Sequence, residues 1–302
     1  MHLRIIVHRR FWLAFSGLLV LAAVVVMIIP GPRFGIEFIG GTLWEVRFSS
    51  DVAKEDLLDS FRTSAFAETT GEPWITKTTE QSFILRFKLI DHDAHLALRA
   101  ILTERFGDLQ EIRFTTIGPT VGRTLRQRAI LACAAAVVAM IAYITFAFRT
   151  IPRKLSAFRF GVVAIVALVH DLALTVGIFT ALSHVTSFEV DTLFLSALLT
   201  VFGYSVNDTI VIFDRIRENV QNQKRGESFA EVADQSIDQT LTRSLNTGIT
   251  TLLMLGSLAV FGGPSIRWFV LALIVGIVLG TYSSLFVAPP LLVLWKGHER
   301  GA

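Results

Sequence analysis

Six apolar runs of about twenty residues constrain this chain more than any other feature; they cover approximately residues 11–29, 129–148, 160–182, 192–213, 241–261 and 268–294. A bilayer's hydrocarbon core is about 30 Å thick, and a helix needs about 20 apolar residues to cross it. In lipid every backbone N–H and C=O must find its partner inside the protein, and a helix does so within one segment. The pattern therefore predicts a polytopic α-helical membrane protein with six transmembrane helices. Composition agrees: 52% of the 302 residues are hydrophobic and 18% charged, against about 25% charged in soluble domains. An ordinary soluble enzyme is excluded.

The first run follows Arg4, His8, Arg9 and Arg10, a layout shared by secretory signals and membrane anchors. Its length, and the sequence Pro30-Gly31-Pro32 where a small-x-small cleavage site would stand, favour a retained anchor. Further basic residues lie between the second and third runs (Arg149, Arg153, Lys154, Arg159), between the fourth and fifth (Arg215, Arg217, Lys224, Arg225) and after the last (Lys296, Arg300). Six spans place all these on one side, cytoplasmic by the positive-inside rule, together with both termini. Arg126, Arg128 and Arg267 run against it.

Residues 31–125 are too polar for lipid. Alternation over 42–48, helical spacing over 51–66 after Ser50 or Asp51, two strands at 74–79 and 82–89, a helix at 92–106 and a strand at 111–117 give the order βαββαβ. This is the order of a ferredoxin-like α+β domain, here extracytoplasmic and set between helices 1 and 2. The expected division is 1–30 for the cytoplasmic N-terminus and first span, 31–125 for the aqueous domain, and 126–302 for the other five spans. Residues 227–239 read as a short amphipathic helix on the cytoplasmic surface.

A net charge of +3, with basic residues in short clusters, gives no nucleic-acid surface. The one cysteine, Cys133, allows neither an intrachain disulfide nor a cysteine zinc site. No catalytic motif, metal motif or glycine-rich phosphate loop appears, so the expectation is a non-enzyme without metal or cofactor.

A charge within a span needs a partner or a purpose. His170-Asp171 lies about ten residues into the third run, near the bilayer middle, and reads either as a proton-carrying pair or as a packing contact. Asp208, in the fourth run, is flanked by the polar or small residues Gly203, Tyr204, Ser205, Asn207 and Thr209, which permit close helix approach; it reads as a functional acid or as a packing carboxyl. On the fifth run Arg243, Asn246, Thr247 and Thr250 share a face by their spacing, with snorkelling of Arg243 to the surface as the alternative. Asp208 and Arg243 are expected at similar depth. Burial and a fixed positive charge act in opposite senses on a carboxylate's proton affinity, so an acid held between them would answer to small movements, as a proton relay must. Asp214, Arg215, Arg217, Glu218 and Asn219 read as topology anchors and helix-end charge pairs.

The same residues carry a family resemblance. Residues 203–219 (GYSVNDTIVIFDRIREN) resemble the fourth-span signature of the SecF family of bacterial protein-export membrane subunits, part of the SecD/SecF group in the resistance-nodulation-division superfamily. Gly35, Glu37, Gly40, Gly41 and Thr42 resemble the Gly-Gly element after the first span, with Glu37 where that family usually has Asp. Val169-His170-Asp171 and residues 240–247 match its third and fifth spans. The resemblance implies a bacterial inner-membrane translocase subunit that pairs with SecD and works beside the SecYEG channel, the SecA motor and YajC on exported chains, drawing on the proton-motive force. It implies Asp208, Arg243 and Thr247 in the proton pathway; His170, Asp171, Asn207 and Asn246 are further candidate intramembrane polar contacts. It also favours the 31–125 domain as a base that transmits motion. A non-transporting assembly scaffold is the competing function, and a small-solute or lipid exporter a third.

Overall fold

The computed structural model describes residues 4–63, 67–77, 82–148 and 157–297. A 3-10 turn, Ile5–His8, leads into α1 (Arg9–Ile28); then follow α2 (Ile36–Ile39), β1 (Gly41–Phe48), α3 (Lys54–Thr63), α4 (Ala67–Thr70), β2 (Trp74–Lys77), β3 (Ser82–Phe87), α5 (His92–Phe106) and β4 (Leu109–Ile117). The remainder is helical: α6 (Pro119–Ala147), α7 (Ala157–Val185), α8 (Thr192–Gln221), α9 (Phe229–Phe261), α10 (Arg267–Phe286) and α11 (Ala288–Gly297). The expected basic cluster at 149–154, the ends of the 51–66 and 74–79 elements, and Arg300 fall outside the described residues.

The described chain divides into two units: Arg33–Leu131 with His184–Asp191 form one, and the rest form the other. The first centres on a four-stranded antiparallel sheet of order β2-β3-β1-β4. Alternation along β1 turns Thr42, Trp44, Val46 and Phe48 inward, where Trp44, Val46 and Phe48 pack with Leu57 and Phe61 of α3 and Leu98 and Leu102 of α5. Asp91 caps α5 by accepting the Ala94 N–H at 2.9 Å, and Gly107, at φ 85, ends it. The unit is larger than the sequence reading made it, because it takes in the 184–191 segment and the first turns of α6.

Among the described residues six apolar helical segments are long enough to span a membrane: Ile5–Ile28, Pro119–Ala147, Phe158–Val185, Thr192–Gln221, Phe229–Phe261 and Arg267–Lys296; apart from the first turns of α6 and the last residues of α7 they belong to the second unit. The helices overrun the apolar runs that announce them. Residues 227–239 are not a separate surface helix: Ser228 and Glu231 form a capping box that starts α9 at Phe229, and Phe229, Val232, Ala233 and Ile237 bury against Ile212, Ile216 and Val220 of an equally extended α8. A packed partner outweighs the water surface for this stripe. Asp214–Arg217 and Arg215–Glu218 ion pairs accordingly lie within α8 and not at its end. The sixth span is broken at Val287, before Pro289-Pro290, between α10 and α11. In α7 and in the α10–α11 span 56% of the apolar window is buried, against 6% in α6 and 17% in α9. Most of the apolar surface of α6 and α9 is thus left uncovered by the described residues.

Candidate intramembrane polar site

The site is built along a close-packed seam between α8 and α10. Gly276 and Gly280 make the approach possible: a Cβ on Gly276 would collide with the Val201 side chain, and one on Gly280 would stand 3.2 Å from Ser205 Cβ. Small residues at such a seam bring backbones and short polar side chains into reach. Two fully inward carboxylates use it.

Asp171, 0% exposed, accepts from Ser205 Oγ of α8 at 2.6 Å and Ser283 Oγ of α10 at 2.7 Å, both on Oδ2. Its Oδ1 lies 2.9 Å from His170 Nδ1. The outer ring nitrogen of His170 is buried without a hydrogen-bond partner among the described residues. Next to this group Ser16 and Tyr282 join α1 to α10 through a 2.8 Å hydroxyl contact. One turn along α8, Asp208 accepts from Ser244 Oγ of α9 at 2.7 Å and Ser284 Oγ of α10 at 2.5 Å. Consecutive serines of α10, Ser283 and Ser284, therefore each serve one acid, and two clusters of hydroxyls and a carboxylate lie side by side across four helices. Among the described residues no group of three or more metal-ligating side chains occurs.

The expected setting of Asp208 beside Arg243 is corrected by this geometry. Ser244, the next residue, takes the inward face and the carboxylate, while Arg243 points outward, exposed, with no ion pair among the described residues. Depth matches; direction does not, because consecutive helical positions lie about 100° apart. Asn246, Thr247 and Thr250 are exposed beside Arg243, as is Asn207 on α8. Thr247 and Thr250 donate to the carbonyls of Arg243 and Asn246 at 2.9 and 2.8 Å, so their hydroxyls are satisfied within the helix. Ser244, Ser283 and Ser284 went unread in the sequence; the Tyr282-Ser283-Ser284 interruption of the last apolar run is the signal that marks two of them.

The Gly-Gly element belongs to the strand unit. Gly40 and Gly41 have φ of 80° and 125°, and a Cβ on Gly41 would lie 2.8 Å from the Phe87 carbonyl oxygen. Only glycine fits both backbone shape and space there. Thr42 is fully buried, its hydroxyl 3.0 Å from that of Thr116, and Glu37 lies close to Gly35.

Residues 97–298 match the family model described as "Protein export membrane protein SecD/SecF, C-terminal", and residues 25–52 match the SecD/SecF GG motif. A SecF protein translocase subunit from Thermobaculum terrenum is 42% identical over 292 residues, 94% of this chain and 91% of that relative. The chain belongs to the SecF family. The SecF subunit of Anaerolinea thermophila is 38% identical, with 98% of this chain and 95% of that one covered. Among solved structures, SecDF of Thermus thermophilus, titled a translocon-associated membrane protein, superposes with a TM-score of 0.83 at 33% identity over 97% of the chain. SecDF in a super-membrane-facing form gives 0.71 at 31% identity. The chain spans 38% and 40% of those two longer SecDF chains. Six long apolar helices and SecF membership make it a multi-pass membrane protein.

Proposed function

We propose that this chain is the SecF-type subunit of a protein translocase, paired with SecD, in which the proton-motive force drives late steps of export beside SecYEG, SecA and YajC. The reading is supported above all by the position of Arg243: a permanent charge, exposed on a helix of spanning length, one residue from the serine that holds Asp208. An unpartnered charge in a span is costly, so the outward row of Arg243, Asn246, Thr247 and Thr250 is the face for SecD, and Asp208 reaches protons when that interface rearranges. The strand order β2-β3-β1-β4 supports reading the first unit as a split βαββαβ, ferredoxin-like domain on the extracytoplasmic side. The basic flanks support cytoplasmic termini in the bacterial inner membrane.

The test is export of a secreted chain into vesicles holding this chain with SecD, SecYEG and SecA under an imposed proton gradient. Arg243→Ala and Asp208→Asn should each reduce export to the level seen without a gradient, with assembly intact. Full gradient-driven export by both variants overturns the proton-path reading. The complete hydroxyl cradle of Asp171 and Asp208 favours a second reading, in which the acids only tie helices together and the subunit is an assembly scaffold. That reading predicts SecD binding without proton flux.

A further inference from the structure

The connection between α7 and α8 folds with the strand unit. Residues His184–Asp191 belong to it, and two attachments hold them. Val190 uses both backbone groups: its N–H donates to the Arg33 carbonyl at 2.7 Å and its carbonyl accepts from the Gly35 N–H at 2.9 Å, forming a parallel bridge between Phe34 and Val190. Gly35 leaves the room for this, since a Cβ there would stand 2.5 Å from Glu37 Oε2 and 3.4 Å from the Val190 carbonyl oxygen. Beside the bridge Glu189 Oε2 lies 2.9 Å from Arg86 Nε of β3, the two side chains 17% and 14% exposed. The Nε–H is not aligned on that oxygen and has no other acceptor among the described residues. The charged groups acting on Glu189 are Arg86 of β3, Glu37 of α2, Arg33 before α2, and Asp191 of the loop itself; Arg113 of β4 acts in turn on Arg86.

We propose that Glu189 is a proton-uptake site and the His184–Asp191 loop a proton-operated latch, seated on the strand unit when Glu189 is protonated and loosened when it is charged. A buried carboxylate with a misaligned cationic partner and two carboxylates nearby keeps little of the hydration it gave up. Burial above all, then Glu37 and Asp191, push Glu189 up from 4.5 to about 7 against the pull of Arg86 and Arg33. The sign follows from linkage: the seated loop binds the proton more tightly than a free loop. Seating is therefore fully favoured below the ordinary glutamate range and weakens as pH rises from there through about 7. The loop joins α7, which carries His170 and Asp171, to α8, which carries Asp208, so acid on the loop's side fastens the joined ends of that helix pair to the strand unit. The latch goes beyond the proton path proposed above and stands without it.

The experiment is hydrogen–deuterium exchange on the full chain in lipid nanodiscs at about pH 8 and about pH 5.5, with intrinsic rates corrected. The amides of Val190 and Gly35, which make the bridge, should gain roughly 30-fold protection at the lower pH, while those of Trp44 and Leu85 in the sheet stay constant. Glu189→Gln should show the acid level of protection at both values. Glu37→Gln, which removes a neighbouring negative charge, should move the wild-type midpoint to lower pH. Flat protection in the wild type, a wild-type response in Glu189→Gln, or an unmoved midpoint in Glu37→Gln overturns the latch. If Glu189→Gln loses protection in the sheet as well, the wild-type profile and Glu37→Gln decide. None of these readouts involves export, so failure of the latch is distinguishable from failure of the proton path.

Discussion

At the scale of single residues, the two buried acids differ in how many donors share an oxygen. Asp171 Oδ2 takes hydroxyls from both Ser205 and Ser283, whereas each oxygen of Asp208 takes one. Ser205→Ala and Ser283→Ala should each cost about 0.5–1.5 kcal/mol, the range of hydrogen bonds within membrane bundles. Together they should cost more than the sum, since the second substitution strips the oxygen bare; reversible unfolding in bicelles measures this, and strict additivity contradicts it. Arg243 should show opposite effects in two assays. Arg243→Leu removes an exposed charge from a span, so the isolated chain should become more stable by up to about 3 kcal/mol, while its affinity for SecD falls. A variant that loses stability alone would mean that Arg243 is already satisfied within the chain. The acids were legible in the sequence because a charge in an apolar run is rare. Their serine partners were not, because serine is a common filler and helix rotation, absent from the sequence, decides that Ser244 and not Arg243 meets Asp208.

Elements show where that legibility stops. Six helices were readable because lipid thickness sets a minimum apolar length, and the strands along the chain because alternation has a period of two; their order in the sheet is set by pairing, which that pattern does not carry. Helix ends were not readable: an amphipathic stripe has the same 3.6-residue period whether it lies on a membrane surface or on α8, and the Ser228/Glu231 capping box that starts α9 went unread. The strand at 111–117 begins two residues earlier, at Leu109, because pairing with β1 continues through a bulge between Glu45 and Val46 to Phe48↔Leu109. Packing of α8 on α10 yields a prediction at this scale. Gly276→Ala places a methyl into Val201 and should cost about 1–3 kcal/mol by overpacking. Adding Val201→Ala removes the obstacle, so the double variant should recover much of that loss, measured by the same unfolding assay. Failure to recover would show that the cost arises elsewhere on α10.

For the molecule as a whole, the issue is how a change among the helices reaches the strand unit. The chain crosses between units at 32/33, 131/132, 183/184 and 191/192. Within the strand unit one segment holds the chain next to the first and last of these, where Phe34 and Gly35 pair with Val190; its Gly40 also packs on Pro119 and Gly122 at the start of α6, where a Cβ on Gly122 would lie 2.9 Å from Gly40 N. The Gly-Gly element that marks the family is therefore a clasp on the chain's own crossings, and its glycines are needed because backbone meets backbone at both ends. Slack beside the clasp should disconnect the units without unfolding either one. Four Gly/Ser residues inserted after Val185, the exposed last residue of α7, and four more after Asp191, lengthen the connection at an entropic cost of order 1 kcal/mol, so both units should keep their exchange protection. Gradient-driven export with SecD should nevertheless fall severalfold, whereas the same insertion at Gly226, in the turn between α8 and α9, should leave it near wild type. Equal export from the two insertions would mean that the 184–191 loop transmits nothing, and that α6 and the first crossing carry the motion between them.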